Sequence, residues 1–400
     1  MKIAAVIAEF NPLHKGHVLP LQKAREIVGA DGAVVCIKSS NVVQRGDFAI
    51  FPKEIRTQAT LLAGADLIIE LPAVYVLSSA QYFAEGAVAL MKAMGMTENH
   101  LVFGSESGEI DMLTQAATVL DKPETQENIR MGLKQGLSYG MACQNAIASA
   151  GEVGETLKTA NNLLGIAYLR AISSLGVDIT AHTIKRAGAG HDAKAPEKNY
   201  ASATYLREGI LLGKPEWQYM PSATATLLQK AMAAEIKPAS MMQIETIILA
   251  LLRQARECEG SFLDDSEGLA EKIIQSAEQA GSLEELFALV KTKRYHLSRI
   301  RRMVLGMCLG FTKEDRPQNP PYIRVLGANS KGQKLLAEMR EAAKLPIISR
   351  PGQVKQLGSD ALRMFLLESK VTDLRALCAL HAEKRRGGTE WLGKPIFVRE

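Results

Sequence analysis

The protein has 400 residues, of which 47% are hydrophobic and 23% charged, and its formal net charge is +5. At about 100–200 residues per domain this length predicts two or three folded units, and the composition excludes a disordered chain, a coiled coil and a collagen-like repeat. No apolar run reaches the roughly 18 residues of a membrane span, and the first one, residues 3–8, meets Glu9 before it could act as a signal peptide. Five cysteines without C-x-x-C spacing predict neither disulfides nor a zinc site. Because the sequence predicts no membrane span, signal peptide or disulfide framework, we expect a cytoplasmic protein.

The charge is divided unevenly along the chain. Residues 291–400 contain 23 Lys and Arg against 10 Asp and Glu, a net charge of +13, whereas residues 1–290 contain 25 against 33, a net charge of −8. Such a polycationic segment attracts a polyanion through counterion release, and without an amphipathic anchor nucleic acid is a better candidate than a membrane surface. The alternative is a solvated basic face that balances the acidic part of the chain across a domain or subunit contact.

Strand and helix patterns alternate through the first half of the chain. The continuous apolar run at residues 2–8 predicts a strand buried on both faces. Further strands are predicted at 33–37, 66–71, 101–103 and 177–184, and helices at 17–28, 53–63, 78–94, 123–136, 139–150, 162–175 and 202–212. This alternation predicts an α/β fold, with a Rossmann-like domain and a parallel sheet over residues 1–215.

The second half of the chain carries mainly helical periodicity. Helices are predicted at 241–256, 269–280, 283–290, 294–309 and 331–343, with one short β-like segment at 320–327. We therefore predict a mainly α-helical, basic C-terminal domain over residues 216–400.

The strongest local motif is H-x-G-H, formed by His14, Gly16 and His17 at the junction of the first strand and the first helix. Open α/β sheets bind ligands at this position. A helix N-terminus offers free N–H groups and a positive dipole end to phosphates, and two imidazoles three residues apart can donate to the same polyphosphate. The arrangement predicts adenylyl transfer, in which a carboxylate or phosphate attacks the α-phosphorus of ATP and no protein nucleophile is required. We take His14 and His17 as the catalytic candidates.

A second candidate is the helix start at Ser202, Thr204 and Arg207. The two hydroxyls can donate hydrogen bonds and the guanidinium can neutralise the β- and γ-phosphate oxygens of the leaving pyrophosphate. An ordinary capped helix explains the same three residues equally well.

Three further positions follow predicted strands or begin a helix, namely Gly104, Asn161 and Arg186. A glycine there lets backbone pass close to a nucleotide, an amide can bind a ribose or base edge, and an Arg can bind phosphate. Turn glycines, helix-capping amides and surface arginines are also common, so spacing alone does not decide whether these three residues bind a ligand. The same holds for the loop 39–47 and for Lys53 and Arg56, which could contact ATP, a small acid or an acceptor.

Two basic clusters are candidates for contact with a nucleic-acid backbone. The first, within residues 291–302, contains six Lys and Arg, no acid and an interleaved Tyr. The candidates are Lys291, Lys293, Arg294, Arg299, Arg301, Arg302, Lys384, Arg385 and Arg386. A solvated basic face is again the alternative.

With these motifs in view, the chain resembles the tRNA(Met) cytidine acetate ligases, a bacterial family among the H-x-G-H nucleotidyltransferases. The resemblance spans nearly the whole chain. It rests on the segments 8–17, 44–46, 64–72, 103–106, 161–165, 185–186, 202–204 and 322–327. It implies an enzyme that activates acetate with ATP to acetyl-adenylate, releases pyrophosphate, and acetylates the wobble cytidine of elongator tRNA(Met) to N4-acetylcytidine.

The resemblance also implies an ATP site and assigns residues to it. Besides Gly104, Asn161, Arg186, Ser202, Thr204 and Arg207, the site would comprise Ile7, Ala8, Glu9, Phe10, Asn11, Pro12, Leu13, His14, Lys15, Gly16, His17, Val18, Leu19 and Pro20. Residues 216–400 would bind the tRNA. Mg²⁺ is expected from ATP chemistry alone, because it binds mostly through phosphates and water, and no metal ligand is assigned. The sequence indicates no membrane and no protein partner.

Two other classes of protein remain compatible with the motifs. A small-metabolite adenylyltransferase, making a dinucleotide or a pantetheine derivative, would need H-x-G-H but little beyond the α/β unit. A non-catalytic RNA-binding protein could use the same fold without turnover. The presence of His14, His17 and Arg207 argues against a non-catalytic RNA-binding protein.

Overall fold

The computed structural model describes residues 1–148, 151–186, 195–197, 199–255, 262–266 and 268–398. Its strands are β1 (Ile3–Ala8), β2 (Ala33–Ser39), β3 (Val42–Val43), β4 (Asp47–Phe48), β5 (Leu67–Leu71), β6 (Asn99–Ser105), β7 (Thr180–Lys185), β8 (Ile323–Ala328), β9 (Ile347–Ile348) and β10 (Ile396–Phe397). The predicted helix ends at residues 150 and 256, and Cys258, lie outside the described residues.

The helices account for most of the remaining described chain. They are α1 (Lys15–Val28), α2 (Lys53–Leu62), α3 (Ala73–Val76), α4 (Ala80–Ala93), α5 (Ile110–Leu120), α6 (Pro123–Lys134), α7 (Tyr139–Ala146), α8 (Glu152–Glu155), α9 (Ala160–Ser174), α10 (Ala203–Leu211), α11 (Ser222–Ala233), α12 (Glu245–Gln254), α13 (Leu269–Gln279), α14 (Leu283–Val290), α15 (Leu297–Leu309), α16 (Ser330–Ala342) and α17 (Ser359–Ala376). Of these, α3, α5, α8, α11 and α17 are not among the helices predicted above.

One sheet organises the fold, with the strand order β10–β8–β5–β2–β1–β6–β7 and with β9 paired to β8. Strands β5, β2, β1, β6 and β7 run parallel to one another. Strands β1, β2 and β5 are buried along their whole length, as continuous apolar runs in a sheet covered on both faces should be. The predicted α/β fold with a Rossmann-like parallel sheet and a mainly helical second half is confirmed.

The later part of the chain also contributes to this sheet. Strand β8 pairs antiparallel with β5, so that Leu67 lies opposite Ala328, and β10 pairs in parallel with β8. Both halves of the chain contribute to one apolar core, which includes Ile3 in β1 and Ile300 in α15. The boundary predicted at residue 215 stays a prediction, and strands from both sides of it share one sheet.

A buried ionic cluster ties the C-terminal segment to the sheet. Lys53 Nζ lies 2.7 Å from Glu70 Oε1, and Arg324 Nη1 lies 3.0 Å from Glu70 Oε2. Both cations also contact Glu390. Burial alone would raise the pKa of Glu390, but Lys53 and Arg324 lower it to about 2. The position of residues 389–392 therefore depends on charges carried by β5, β8 and α2.

Candidate active site

A cavity of about 530 Å³ lies where the parallel strands end. The segment after β1 leads into α1, Gly104 lies near the end of β6, and Arg186 follows β7. Because β1, β6 and β7 are parallel neighbours, their carboxyl ends share one edge of the sheet. The starts of α9 and α10 and one side of α15 complete the walls.

The two histidines of the H-x-G-H motif are stacked on each other at the start of α1. Their ring centroids are 3.6 Å apart, and Phe10 lies against His17 at 4.9 Å. His14 is the N-cap residue, and its Nδ1 accepts a hydrogen bond of 3.1 Å from the main-chain N–H of Gly16. His17 Nδ1 accepts a hydrogen bond of 3.4 Å from the main-chain N–H of His14. This reciprocal capping fixes both rings against the cavity.

These bonds decide what the imidazoles can do. Since each Nδ1 acts as an acceptor, the proton of each neutral ring lies on Nε2. Burial, with Arg186 and Arg207 nearby, lowers the pKa of His14 to about 3. His14 is therefore a neutral hydrogen-bond donor at physiological pH, suited to phosphate oxygens.

Arg207 connects α10 to the H-x-G-H segment. Its Nη1 donates a hydrogen bond of 2.8 Å to the main-chain oxygen of Asn11, and its Nη2 donates one of 3.0 Å to Thr204 Oγ1. Ser202 caps α10, and its Oγ accepts from the main-chain N–H of Tyr205 at 3.1 Å. The second sequence candidate is therefore both an ordinary capped helix and part of the cavity wall.

The loop after β6 is clamped to the start of α9. Glu106 accepts from Asn161 Nδ2 at 2.6 Å and from the main-chain N–H of Asn162 at 2.9 Å, while Asn162 Oδ1 accepts from the main-chain N–H of Glu106 at 2.9 Å. Arg186 lies over Gly104, where an added Cβ would be 3.3 Å from Arg186 Cγ. Burial lowers the pKa of Arg186, and Glu106 opposes that shift. Thus Gly104, Asn161 and Arg186 meet at one wall.

The opposite wall is built by the hairpin of β3 and β4 against α15. Arg302 Nη1 donates a hydrogen bond of 2.9 Å to the main-chain oxygen of Gln44. Gln44 in turn donates its main-chain N–H to Glu9 Oε1 at 2.5 Å. Arg45 and Ser298 also line this wall. Glu9 is the one carboxylate among the described residues that line the cavity, against four arginines, so the cavity favours an anionic ligand.

Most of the residues predicted for the ATP site line this cavity. They are Ile7, Ala8, Glu9, Phe10, Asn11, His14, Gly16, His17, Leu19, Pro20, Gly104, Asn161, Arg186, Ser202, Thr204 and Arg207. Four others are absent from the lining, namely Pro12, Leu13, Lys15 and Val18. Leu13 is buried in the core beneath α1 and Lys15 is exposed. The assignment of all of these residues to ATP stays a prediction.

Two other candidates, Lys53 and Arg56, make contacts within the fold rather than with the cavity. Arg56 is buried and donates to the main-chain oxygens of Glu9 and Ser40, and Lys53 belongs to the buried ionic cluster. Neither side chain lines the cavity. They hold the sheet edge in place.

The basic clusters lie in different settings. Lys291, Lys293, Lys384, Arg385 and Arg386 are exposed. Arg294, Arg299, Arg301 and Arg302 are half-buried. Arg294 donates to the main-chain oxygen of Leu133 at 3.4 Å, and Arg301 lies over the ring of Phe287 at 5.2 Å. Only Arg302 among the nine candidates lines the cavity within the described residues.

Several lining residues carry no recognisable sequence signal. Phe83 and Tyr168 lie on α4 and α9 at positions that read as ordinary core, and Ser298 looks like a spacer between basic residues. Helical periodicity marks a buried face but does not tell core from cavity wall. Their part in the site depends on tertiary packing.

Among the described residues, no group of three or more His, Cys, Asp or Glu side chains could hold a metal ion. In the same part of the chain, no helix is both long and apolar enough to cross a membrane.

A Rossmann-like sheet whose carboxyl edge carries an H-x-G-H helix start defines a nucleotidyltransferase class, and a family model described as HIGH Nucleotidyl Transferase matches residues 1–390. The chain belongs to this family, among the members named tRNA(Met) cytidine acetate ligase. The relative from Thermoanaerobacter sp. (strain X514) is 36% identical, over 94% of this chain and 95% of its own length. The relative from Acetivibrio thermocellus is 33% identical over 100% of both chains.

Solved structures agree with this assignment. The crystal structure of apo Thermotoga maritima TmcAL superposes with a TM-score of 0.92 at 30% sequence identity, covering 100% of both chains. The same protein bound with alpha-thio ATP superposes with a TM-score of 0.90 at 30% identity, again over 100% of both chains. The resemblance stated from the sequence is confirmed.

Proposed function

We propose that this protein activates acetate with ATP to acetyl-adenylate, releasing pyrophosphate, and transfers the acetyl group to the wobble cytidine of elongator tRNA(Met), forming N4-acetylcytidine. The observation that carries the proposal is the cavity itself, which is lined by an H-x-G-H helix start and four arginines, one of them, Arg302, on the basic helix α15. Relatives with this activity in their name cover 94–100% of the chain, and a related structure holds an ATP analogue. Because ATP and tRNA are both cytoplasmic, we expect the reaction in the cytoplasm.

In the activation step the protein positions groups and neutralises charge. A carboxylate oxygen of acetate attacks the α-phosphorus of ATP, and pyrophosphate leaves. We assign the Nε2–H groups of His14 and His17 and the guanidinium of Arg207 to the phosphates. Gly104, Asn161 and Arg186 form the wall assigned to the nucleoside. Preorganised donors of this kind act without reorganisation at the moment of reaction.

Mg²⁺ is proposed to enter with the ATP phosphates. Mg²⁺ usually keeps several waters and binds through substrate phosphates, so no side chain of the cavity is assigned to the ion. The ion would supply further charge neutralisation at the phosphates.

For the acceptor, residues 216–400 are proposed as the tRNA-binding part. The anticodon loop is single-stranded and can turn a base outward, and the base would enter beside α15. The exposed cations at 291–293 and 384–386 are assigned to the tRNA backbone.

The test is incubation of the purified protein with ATP, labelled acetate and total bacterial tRNA. We expect label in tRNA, dependence on ATP, no labelling with acetyl-CoA in place of acetate and ATP, and acetate-dependent ATP–pyrophosphate exchange. The Arg207→Ala variant should lose exchange, while Arg130→Ala, at an exposed arginine on α6, should not. The absence of both tRNA labelling and acetate-dependent exchange would favour a small-metabolite adenylyltransferase, which should show exchange when a mononucleotide or a pantetheine phosphate replaces acetate. Binding of tRNA without exchange with any of these acceptors would indicate a non-catalytic RNA-binding protein.

A further inference from the structure

The second half-reaction of the proposed function needs a proton acceptor. The exocyclic amine of cytidine is a weak nucleophile because its lone pair is delocalised into the ring. As N4 bonds to the acetyl carbon, the nitrogen becomes acidic and must lose a proton. A positioned general base typically accelerates such a step by about 10²–10⁴-fold.

Most ionisable groups around the cavity cannot accept this proton. The Nδ1 atoms of His14 and His17 already accept hydrogen bonds from main-chain N–H groups, so the protons of the neutral rings lie on Nε2. The arginines are donors only. Tyr168 is a neutral phenol whose pKa is raised by burial. Glu9 is thus the one carboxylate available among the described residues of the lining.

The geometry leaves one oxygen of Glu9 available for substrate. Its Oε1 accepts the main-chain N–H of Gln44 at 2.5 Å, which fixes the orientation of the carboxyl group. No other hydrogen bond to this carboxyl group is made within the described ranges. The side chain is half-buried and faces the cavity.

Glu9 also lies between the two substrates' assigned positions. It directly precedes the segment that leads to His14 and His17, where the nucleotide is assigned. Through Gln44 it is linked to Arg302 on α15, because Gln44 donates to Glu9 and accepts from Arg302 at 2.9 Å. A base entering beside α15 would therefore meet the carboxylate next to the acyl-adenylate.

We infer that Glu9 is the general base of acetyl transfer, an inference that rests on the proposed function. The cytidine N4 lone pair attacks the carbonyl carbon of acetyl-adenylate and forms the N–C bond. The bond between that carbon and the phosphate oxygen breaks, and AMP leaves with the electron pair. The N4 proton passes to Glu9 Oε2 and from there to solvent.

The electrostatic surroundings are consistent with this role. Burial raises the pKa of Glu9, against lowering by the Gln44 hydrogen bond and by Arg56, Arg207 and Arg45. A carboxylate with a raised pKa is a stronger base. The groups that face Glu9 are Arg45, Arg56, Tyr168, Arg207 and Arg302. A guanidinium is a permanent cation in proteins near neutral pH, so the base form of Glu9 should appear as pH rises through the pKa of Glu9.

The test separates the two half-reactions in Glu9→Gln, which keeps an acceptor for the Gln44 N–H. We expect single-turnover acetylation of tRNA to be slowed at least about 100-fold, and acetate-dependent exchange to be reduced far less than transfer. Wild-type transfer should rise with pH as Glu9 ionises, and the variant should lack that rise. Glu9→Asp should retain part of the transfer rate. Glu341→Gln, at an exposed carboxyl on α16, is the control and should match wild type.

Each contrary outcome has a distinct meaning. Equal losses of exchange and transfer would make Glu9 a structural residue and overturn the inference, as would transfer unchanged in Glu9→Gln. If the wild-type protein itself shows neither acetate-dependent exchange nor tRNA acetylation, the proposed function fails, and the inference about Glu9 fails with it.

Discussion

Arg302 on α15 donates a hydrogen bond of 2.9 Å to the main-chain oxygen of Gln44, in the loop between β3 and β4. This bond joins α15, the most basic of the described helices, to the loop that orients Glu9. Arg302 is therefore a residue of the cavity wall, while the cations at 384–386 remain exposed. The two basic clusters should behave differently when they are removed.

The first prediction concerns that difference. Replacing Lys384, Arg385 and Arg386 together by Ala should weaken tRNA binding and reduce the slope of log affinity against log salt, by roughly one for each phosphate that the protein no longer neutralises. Arg302→Ala should instead slow acetyl transfer, because the Gln44 loop loses its bond to α15. Filter binding across salt concentrations and single-turnover acetylation measure the two effects. Equal salt slopes in wild type and the triple variant would exclude the 384–386 cluster from the tRNA surface.

The second prediction concerns His14 as a neutral donor. His14→Asn retains an acceptor that can cap α1 but shortens the donor, so exchange should fall by about 10²–10³-fold, the usual loss for one preorganised donor. Because burial lowers the pKa of His14 to about 3, its neutral form persists above that pH. Wild-type exchange should therefore show no His14 titration between pH 5 and 8. His381→Asn, at a half-exposed histidine paired with Glu235, should leave exchange unchanged.

The third prediction concerns Gly46, whose φ is +75°. An added Cβ there would lie 2.3 Å from the main-chain nitrogen of Arg302, so the hairpin and α15 would have to separate. Gly46→Ala should lower the free energy of unfolding by about 1–3 kcal/mol and also slow transfer. Thermal or denaturant unfolding measures the first effect. Gly140→Ala on α7, where nothing lies within 4 Å, should be neutral or slightly stabilising.

The fourth prediction concerns Glu368, which is fully buried and accepts from the main-chain N–H of Ala73. Burial and the neighbouring Glu70 raise its pKa from 4.5 to about 8. A carboxyl whose folded pKa is raised contributes stability at low pH that is lost as pH rises through the folded value. The groups that face it are Lys53, Glu70, Tyr322, Arg324 and Glu390.

The free energy of unfolding should therefore decline between about pH 5 and pH 8 in the wild type, and Glu368→Gln should flatten this decline because an amide does not ionise. Urea denaturation at a series of pH values is the measurement. An unchanged pH profile in the variant would mean that Glu368 is already charged in the folded protein. Glu341→Gln again serves as the exposed control.

Local sequence determined much of the fold and of the site. The apolar run at β1, the helical spacing of α1 and the H-x-G-H motif between them lie within 28 residues, and a parallel sheet then fixes which edge they occupy. That reasoning brings His14, His17, Gly104 and Arg186 to one edge of the sheet. The helix start at Ser202, Thr204 and Arg207 was also a candidate from the sequence itself, whereas the family resemblance assigned Gly104, Asn161 and Arg186 to ATP and added the rest of the segment 7–20.

Tertiary structure alone decided how the second half of the chain joins the first. Strand β8 was predicted as a short β-like segment, but nothing local showed that it would pair antiparallel with β5. The two-residue strands β9 and β10 are too short to carry a periodic pattern. Arg302 looks like its basic neighbours in sequence, and Glu9 looks like one position of a long motif. The two residues are connected through Gln44, which lies 35 residues from Glu9 and 258 from Arg302 along the chain. Contacts over such separations are set by packing rather than by local periodicity.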